Sequence, residues 1–208
     1  AIPLEILSIM ENKNDRPLVS FIVTTYNLPT TLLCECLQSI LSLSLSKEER
    51  EIIVVDDGSE VSPLNDLVEL RDKIVYVRQR NKGLSEARNM GLVCAQGKFI
   101  QFVDGDDYLI QAPYEHCLDI ARYKDADIIL FHETEEEQPE VPFECNGPMT
   151  GSAYMHQYNL RASACGYLFR ANILGNLRFT PNLLHEDEEF TPQLFLRAEH
   201  MYFTPSKA

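Results

Sequence analysis

The chain has 208 residues, 45% hydrophobic and 24% charged, a composition that fits one soluble globular domain with a sizeable core. Thirty-two acidic against 18 basic residues leave a formal net charge of −14. That balance excludes a nucleic-acid partner, and it means that a phosphate-bearing ligand is drawn in by local groups and not by the overall field. No run of about 18 apolar residues is present to span a bilayer, and the start, Ala1 to Met10, is too short and too acidic for a signal peptide.

Strands and helices alternate through the first 130 residues. Leu18 to Thr24 predicts a strand, followed by a turn at Asn27-Leu-Pro29 and a helix with Leu33, Cys36, Leu37, Ile40 and Leu41 on one stripe. Glu51 to Asp56 predicts a second strand that runs into Asp56-Asp57-Gly58-Ser59. A short helix from Pro63 to Leu70 is expected to turn Leu64, Leu67 and Val68 inward, and Lys73 to Arg78 forms a third strand. Ser85 is expected to cap a helix reaching Gln96, with Gly97 as its stop. Lys98 to Val103 is a fourth strand, Pro113 starts a helix with Tyr114, Cys117, Leu118 and Ala121 inward, and Asp127 to Phe131 is a fifth strand. Repeated units of this length predict an α/β fold with a mostly parallel central sheet flanked by helices.

From Glu133 to Gly151 the pattern is acidic and aperiodic, an exposed excursion or ragged hairpin. Helical signals return at 171–177 and 186–198, with Pro192 placed in the first turn of the last helix or at a kink. The six cysteines show no C-x-x-C spacing and read as free thiols in a reducing cytoplasm.

Ligands of parallel α/β sheets bind at the carboxyl ends of strands. Strand one ends in Thr24-Thr25-Tyr26-Asn27, with hydroxyls and a ring able to stack on a base. Strand two ends in Asp56-Asp57, acceptors for a base N–H or ribose hydroxyls. Strand four ends in Asp104-Gly105-Asp106-Asp107. Taken alone, that acidic segment reads either as a polar turn or as a site for Mg²⁺ or Mn²⁺. Asn81-Lys-Gly-Leu-Ser-Glu-Ala-Arg-Asn-Met-Gly91 adds a glycine turn opening a helix N-terminus, where N–H groups favour anions, with Arg88 one turn in as a contact for phosphate or base. Small Ala87 and Gly91 let that helix approach the sheet.

Together, Val19 to Asn27, Ile53 to Ser59, Asn81-x-Gly83…Ala87-Arg-Asn-x-Gly91 and Phe102 to Asp107 resemble the nucleotide-binding half of the family 2 glycosyltransferases of GT-A fold. The resemblance implies one catalytic domain over 1–208, with a nucleotide-sugar-binding half at 17–132 and an acceptor and base half at 133–208, truncated at its C-terminus. It implies that Thr25, Tyr26 and Asp57 or Asp56 bind the base, with Asn81, Gly83 and Arg88 also on the nucleotide. Asp104 would lie near ribose and metal, Asp106 would be the direct ligand of Mn²⁺ or Mg²⁺ in a DxD motif, and Asp107 would be structural. Leu184-His-Glu-Asp-Glu-Glu-Phe190 resembles the family's ED motif, making Asp187 the base, with Glu186 as alternative.

The implied reaction is inverting, metal-dependent transfer from a UDP-linked sugar to a glycan or lipid-linked acceptor in polysaccharide synthesis, in the cytoplasm at the inner face of the membrane with peripheral association. Where the family carries an aromatic-rich segment with tryptophan, this chain reads Ala164-Cys-Gly-Tyr-Leu-Phe-Arg170 and has no tryptophan. A sugar nucleotidyltransferase and a non-catalytic nucleotide-sugar-binding module are the competing classes. The first would want a basic glycine-rich loop where Thr25-Tyr26-Asn27-Leu28 stands.

Overall fold

A computed structural model describes residues 16–136 and 144–208. The readings made for Ala1 to Met10 and for 137–143 of the acidic excursion fall outside these residues.

Among the described residues an eight-stranded mixed sheet forms, from β1 (Val19–Thr25), β2 (Arg50–Asp56), β3 (Val75–Arg78), β4 (Phe99–Asp104), β5 (Ile128–His132), β6 (Asn146–Met149), β7 (Tyr167–Arg170) and β8 (Met201–Lys207), in the order β3-β2-β1-β4-β7-β5-β8-β6. The helices are α1 (Thr30–Leu41), α2 (Leu84–Cys94), α3 (Gln111–Tyr123), α4 (Gly151–Gln157) and α5 (Glu186–Phe195). β1 pairs in parallel with both β2 and β4. The chain therefore moves outward from β1 through β2 and β3 and returns to its other side, and this reversal opens a crevice between the ends of β1 and β4.

Alternation along the strands gives the sheet two apolar faces. Phe21 and Val23 pack with Leu33, Cys36, Leu37 and Ile40 of α1 and with Tyr114, Cys117 and Leu118 of α3. Ile22, Ile53 and Phe102 pack on the opposite face with Ala87 of α2 and with Phe190, Leu194 and Phe195 of α5. Gly91 explains how closely α2 lies on β1: a Cβ at that position would sit 2.2 Å from Ile22 Cγ2.

The structure departs from expectation in several places. The 63–70 segment is two 3₁₀ turns, Pro63–Asn65 and Val68–Leu70, which bury Pro63, Leu67 and Leu70 and leave Leu64 and Val68 exposed. The tighter turn places residues three apart on one side, so the helical stripe assumed for Leu64 and Val68 does not apply. α2 starts at Leu84 behind Gly83, and Ser85 is buried within its first turn with no capping bond. Gly97 lies beyond the helix end; it is there because a Cβ would meet Ser20 N at 2.6 Å. α3 begins two residues before Pro113, and 171–177 yields only the 3₁₀ turn Ala171–Ile173. Pro192 occupies the second turn of α5 and not the first.

The second half also contributes strands that local pattern does not predict. β7 inserts antiparallel between β4 and β5, and β8 joins β5 in parallel. β7 brings the 3₁₀ turn Ala164–Gly166 against the end of β4, and α5 follows with its N-terminus at the same edge.

Candidate active site

A cleft of about 390 Å³ opens where the β1–β4 reversal predicts it, lined by Thr24, Thr25, Tyr26, Asp57, Asn81 and Gly83 on one side and by Asp104 and Asp106 on the other. Tyr26 stands half exposed at the rim, with its ring available to a flat ligand. Asn27, at φ 50°, ends the strand, and its Oδ1 accepts from Glu60 N at 2.8 Å while its N–H donates to Ser59 Oγ at 2.9 Å.

The two adjacent aspartates at the end of β2 part company. Asp56 is buried and turned toward β3, where it accepts from Tyr76 Oη at 2.7 Å and Ser59 N at 2.9 Å and pairs with Arg78 Nε at 3.4 Å. Asp56 lines none of the clefts described here and is a strut between strands. Asp57 reaches the 79–83 loop: Oδ1 accepts from Gln79 Nε2 at 2.7 Å and Lys82 N at 2.9 Å, and Oδ2 from Gly83 N at 2.8 Å. Asp57 therefore shapes the approach to α2 as well as facing the cleft. Gly83 sits at φ +90°, a conformation that excludes most side chains.

A second cleft, of about 270 Å³, shares Asp104 and Asp106 with the first and adds Asp107, Tyr108, Glu133 and Cys165. Its crowded negative charge is felt by its neighbours. Burial first, then Asp104, Asp106 and Glu133, raises the Asp107 carboxyl above its usual range. Burial, then Asp107, Asp104 and Asp106, pushes the Cys36 thiol up to about 12. Asp107 also closes the turn through its backbone, its N–H donating to Asp104 O at 2.9 Å.

The residues fit a divalent cation that shares its coordination with a ligand. Asp104 Oδ1 accepts from Thr24 Oγ1 and Arg88 Nη2, both at 3.3 Å, which leaves Oδ2 open. Asp106 is exposed, and its side chain makes no hydrogen bond or ion pair among the described residues. Among the described residues no three His, Cys, Asp or Glu side chains form a ready-made cage. That suits Mg²⁺ or Mn²⁺ held by two carboxylates plus a substrate diphosphate. Among the described residues no lysine or arginine lines the first cleft, so a diphosphate there would face Asp104 and Asp106 without a compensating side chain.

Beyond this wall lies a third cleft, of about 300 Å³, formed by Ala162, Ser163, His185, Glu186, Asp187 and Glu188. His185, at φ 58°, delivers the chain into α5, whose first turn is Glu186-Asp187-Glu188-Glu189, favourable at a helix N-terminus. Asp187 Oδ2 accepts from Ala164 N at 3.0 Å. The 164–166 turn is anchored in its turn by buried Gln101, whose Nε2 donates to Cys165 O at 3.0 Å and whose Oε1 accepts from Tyr114 Oη at 2.9 Å.

Arg88 lies between the clefts and lines none of them. It is 2% exposed, and the nucleotide contact expected of it from sequence is set against contacts to carboxylates. Nη2 donates to Asp104 Oδ1 at 3.3 Å, and Nη1 donates to Glu186 Oε1 at 2.9 Å and to Asp187 Oδ1. Burial alone would lower its pKa, but Cys165, Asp104, Asp187 and Glu186 outweigh it, so the guanidinium is held charged above its ordinary value. Asn89, placed by sequence beside Arg88 but given no role there, and Phe179, which sequence reasoning missed, complete the setting. Asn89 grips the backbone of Phe179, donating from Nδ2 to its carbonyl at 2.8 Å and accepting its N–H at 2.9 Å. Phe179 then lies 5.3 Å from the guanidinium carbon. The only signal for Asn89 was its place beside Arg88 in the Ala87-Arg-Asn motif; nothing local marked Phe179.

Comparison with known proteins agrees with this geometry. The family model for "Glycosyl transferase family 2" matches residues 20–157. The "Uncharacterized glycosyltransferase EpsJ" of Bacillus subtilis (strain 168) is 31% identical over 204 residues, covering 89% of this chain and 58% of that protein. Glycosyltransferase GlyA of Streptococcus pneumoniae serotype 4 is 28% identical, with 89% of this chain and 29% of that one covered. The chain thus spans at most about three-fifths of these two relatives. Among solved structures, TarS 1-349 of S. aureus superposes with a TM-score of 0.77 at 26% identity over 91% of this chain and 58% of its own. The same protein in complex with UDP-GlcNAc gives 0.77 at 25%, with 91% and 56% covered. The mixed sheet flanked by helices is the GT-A architecture of these proteins. With the family model covering more than half of its length, the chain belongs to glycosyl transferase family 2.

Proposed function

We propose that this chain transfers a sugar, with inversion at the anomeric carbon, from a UDP-linked donor to a hydroxyl of a glycan or lipid-linked acceptor in polysaccharide synthesis. The observation that carries this reading is the sharing of one guanidinium by a carboxylate ending β4 and a carboxylate opening α5. Two groups brought together from distant parts of the chain, one beside each cleft, match what a donor side and a base side require.

In this reading the base of the nucleotide rests on Tyr26, with Thr25, Asp57 and Asn81 around its edge, and the diphosphate lies toward Asp104 and Asp106. Mg²⁺ or Mn²⁺ held by Asp106 and the open oxygen of Asp104 would neutralise charge on the departing diphosphate. Asp187 accepts the proton of the acceptor hydroxyl as that oxygen attacks from the face opposite the diphosphate. Its two hydrogen bonds, from Arg88 and Ala164 N, occupy part of its acceptor capacity and leave lone pairs for this proton. Glu186 is the alternative base. Residues 17–132 would serve the donor and 133–208 the acceptor.

UDP is the nucleotide to test first, because TarS is solved with UDP and with UDP-GlcNAc. Among the described residues no helix is long and apolar enough to cross a membrane. The test is calorimetry and thermal shift with UDP and GDP, each with and without Mn²⁺. Ligand at about 100 times Kd contributes about 2.7 kcal/mol of stability. The expected result is a Tm rise with UDP that grows with Mn²⁺; no binding of either nucleotide under any condition would end this reading.

A further inference from the structure

We infer that Arg88 is a positioning residue that sets the spacing between the donor-side carboxylate Asp104 and the base carboxylate Asp187, and is not itself a nucleotide contact. The roles given to those two carboxylates rest on the proposed transferase reading; the hub itself rests on geometry alone.

The guanidinium is planar and presents its donors as a rigid fork, so its two Nη atoms fix the relative places of whatever they hold. Here one prong takes Asp104 at 3.3 Å and the other takes Glu186 at 2.9 Å and Asp187. The fork cannot swing freely. Its carbon lies 5.8 Å from the Phe102 ring centroid on β4 and 5.3 Å from that of Phe179. Phe179 is gripped by Asn89 one residue after Arg88, and stacks on Phe190 of α5 at 3.9 Å and 11°. α2, β4 and α5 are thus joined at one point by a cation, an aromatic wedge and an amide clamp. Among the described residues the three carboxylates at that point have one shared cation within ion-pairing distance. No other residue type combines the reach with two separate prongs; a lysine supplies the charge as a single point.

Displacing a reacting group by about 1 Å can cost about 10²-fold in rate. Arg88→Lys is therefore expected to keep its affinity for UDP with Mn²⁺ within about threefold and its donor KM within about threefold, while kcat falls by about 100-fold. If affinity for UDP measured without Mn²⁺ falls in step with kcat, Arg88 touches the nucleotide and the inference is overturned; an unchanged kcat overturns it equally.

A readout free of activity comes from Tm in a double-mutant cycle. In the native background Asp187→Asn breaks a held pair and lowers Tm. In the Arg88→Met background the same change relieves repulsion among unneutralised carboxylates and raises Tm, a reversal of sign. Equal shifts in the two backgrounds refute the hub. Should Arg88→Met not fold, the cycle is run with Arg88→Lys, where Asp187→Asn is expected to lower Tm by less than half as much as in the native protein. Equal lowering refutes the hub there too. A protein that transfers no sugar but shows the sign reversal would lose the transferase reading while keeping Arg88 as the hub.

Discussion

Asp57→Asn separates two roles that meet in one residue at the edge of the first cleft. In the native protein both carboxylate oxygens are used, Oδ1 by Gln79 Nε2 and Lys82 N and Oδ2 by Gly83 N, and the residue is 6% exposed. The amide keeps one acceptor and turns an NH₂ group toward an N–H, so at least one sheltered donor loses its partner at a cost of about 1–3 kcal/mol. The surviving bonds lose their charge assistance, which is worth roughly half their strength. A total of about 2–4 kcal/mol follows, and for a chain of this size that lowers Tm by about 5–15 °C. The assay is calorimetric unfolding of the ligand-free protein, with amide exchange followed at Lys82 and Gly83. Faster exchange at these two amides should accompany the lower Tm, and affinity for UDP should weaken because Asn81 and Gly83 line the cleft. If Tm and exchange stay native while UDP affinity collapses, Asp57 acts only on the ligand and does not hold the 79–83 loop.

Other consequences are as direct. Gly91→Ala places a methyl 2.2 Å from Ile22 Cγ2 in the core, and urea unfolding should show a loss of about 1–3 kcal/mol; a native midpoint would mean that α2 slides without cost. Asp187→Asn should reduce sugar transfer by about 10²–10⁴-fold while leaving UDP binding in place, and an undiminished rate would take the base role away from Asp187. Glu49 is lowered to about 2, first by its side-chain hydrogen bond with Arg122 and then by the Ser46 N–H. A depressed carboxylate stabilises the fold above its unfolded pKa of about 4.3 and loses that contribution as pH falls through about 2. Glu49 is partly exposed, so screening holds the effect to about 0.5–1 kcal/mol. Glu49→Gln should then destabilise at pH 7 and match the native protein near pH 2; a difference that persists at pH 2 would contradict the assignment.

The legible part of the fold follows from local periodicity. β1, β2 and β4 are runs of apolar residues buried on both faces, and α1 carries its apolar stripe at helical spacing, so burial is written into each segment by itself. β6, β7 and β8 carry no such signal. β6 reads Asn-Gly-Pro-Met, β7 has four residues behind a 3₁₀ turn, and β8 contains Pro205. These segments become strands because neighbours offer them unpaired N–H and C=O groups, a property of the assembled sheet.

The site divides in the same way. The sequence by itself determined which chemical groups end the strands: a tyrosine and hydroxyls after β1, carboxylates after β2 and β4, and carboxylates opening α5. Only the tertiary structure decided what each one touches. Asp56 and Asp57 are neighbours that point opposite ways because strand side chains alternate, so one braces β3 while the other holds the loop before α2. Arg88 and Asp187 carry no mark in sequence of their partnership, since an ion pair depends on distance in space and not along the chain. β7 draws α5 to the end of β4, and the cation expected on a nucleotide becomes the buried link between two carboxylates.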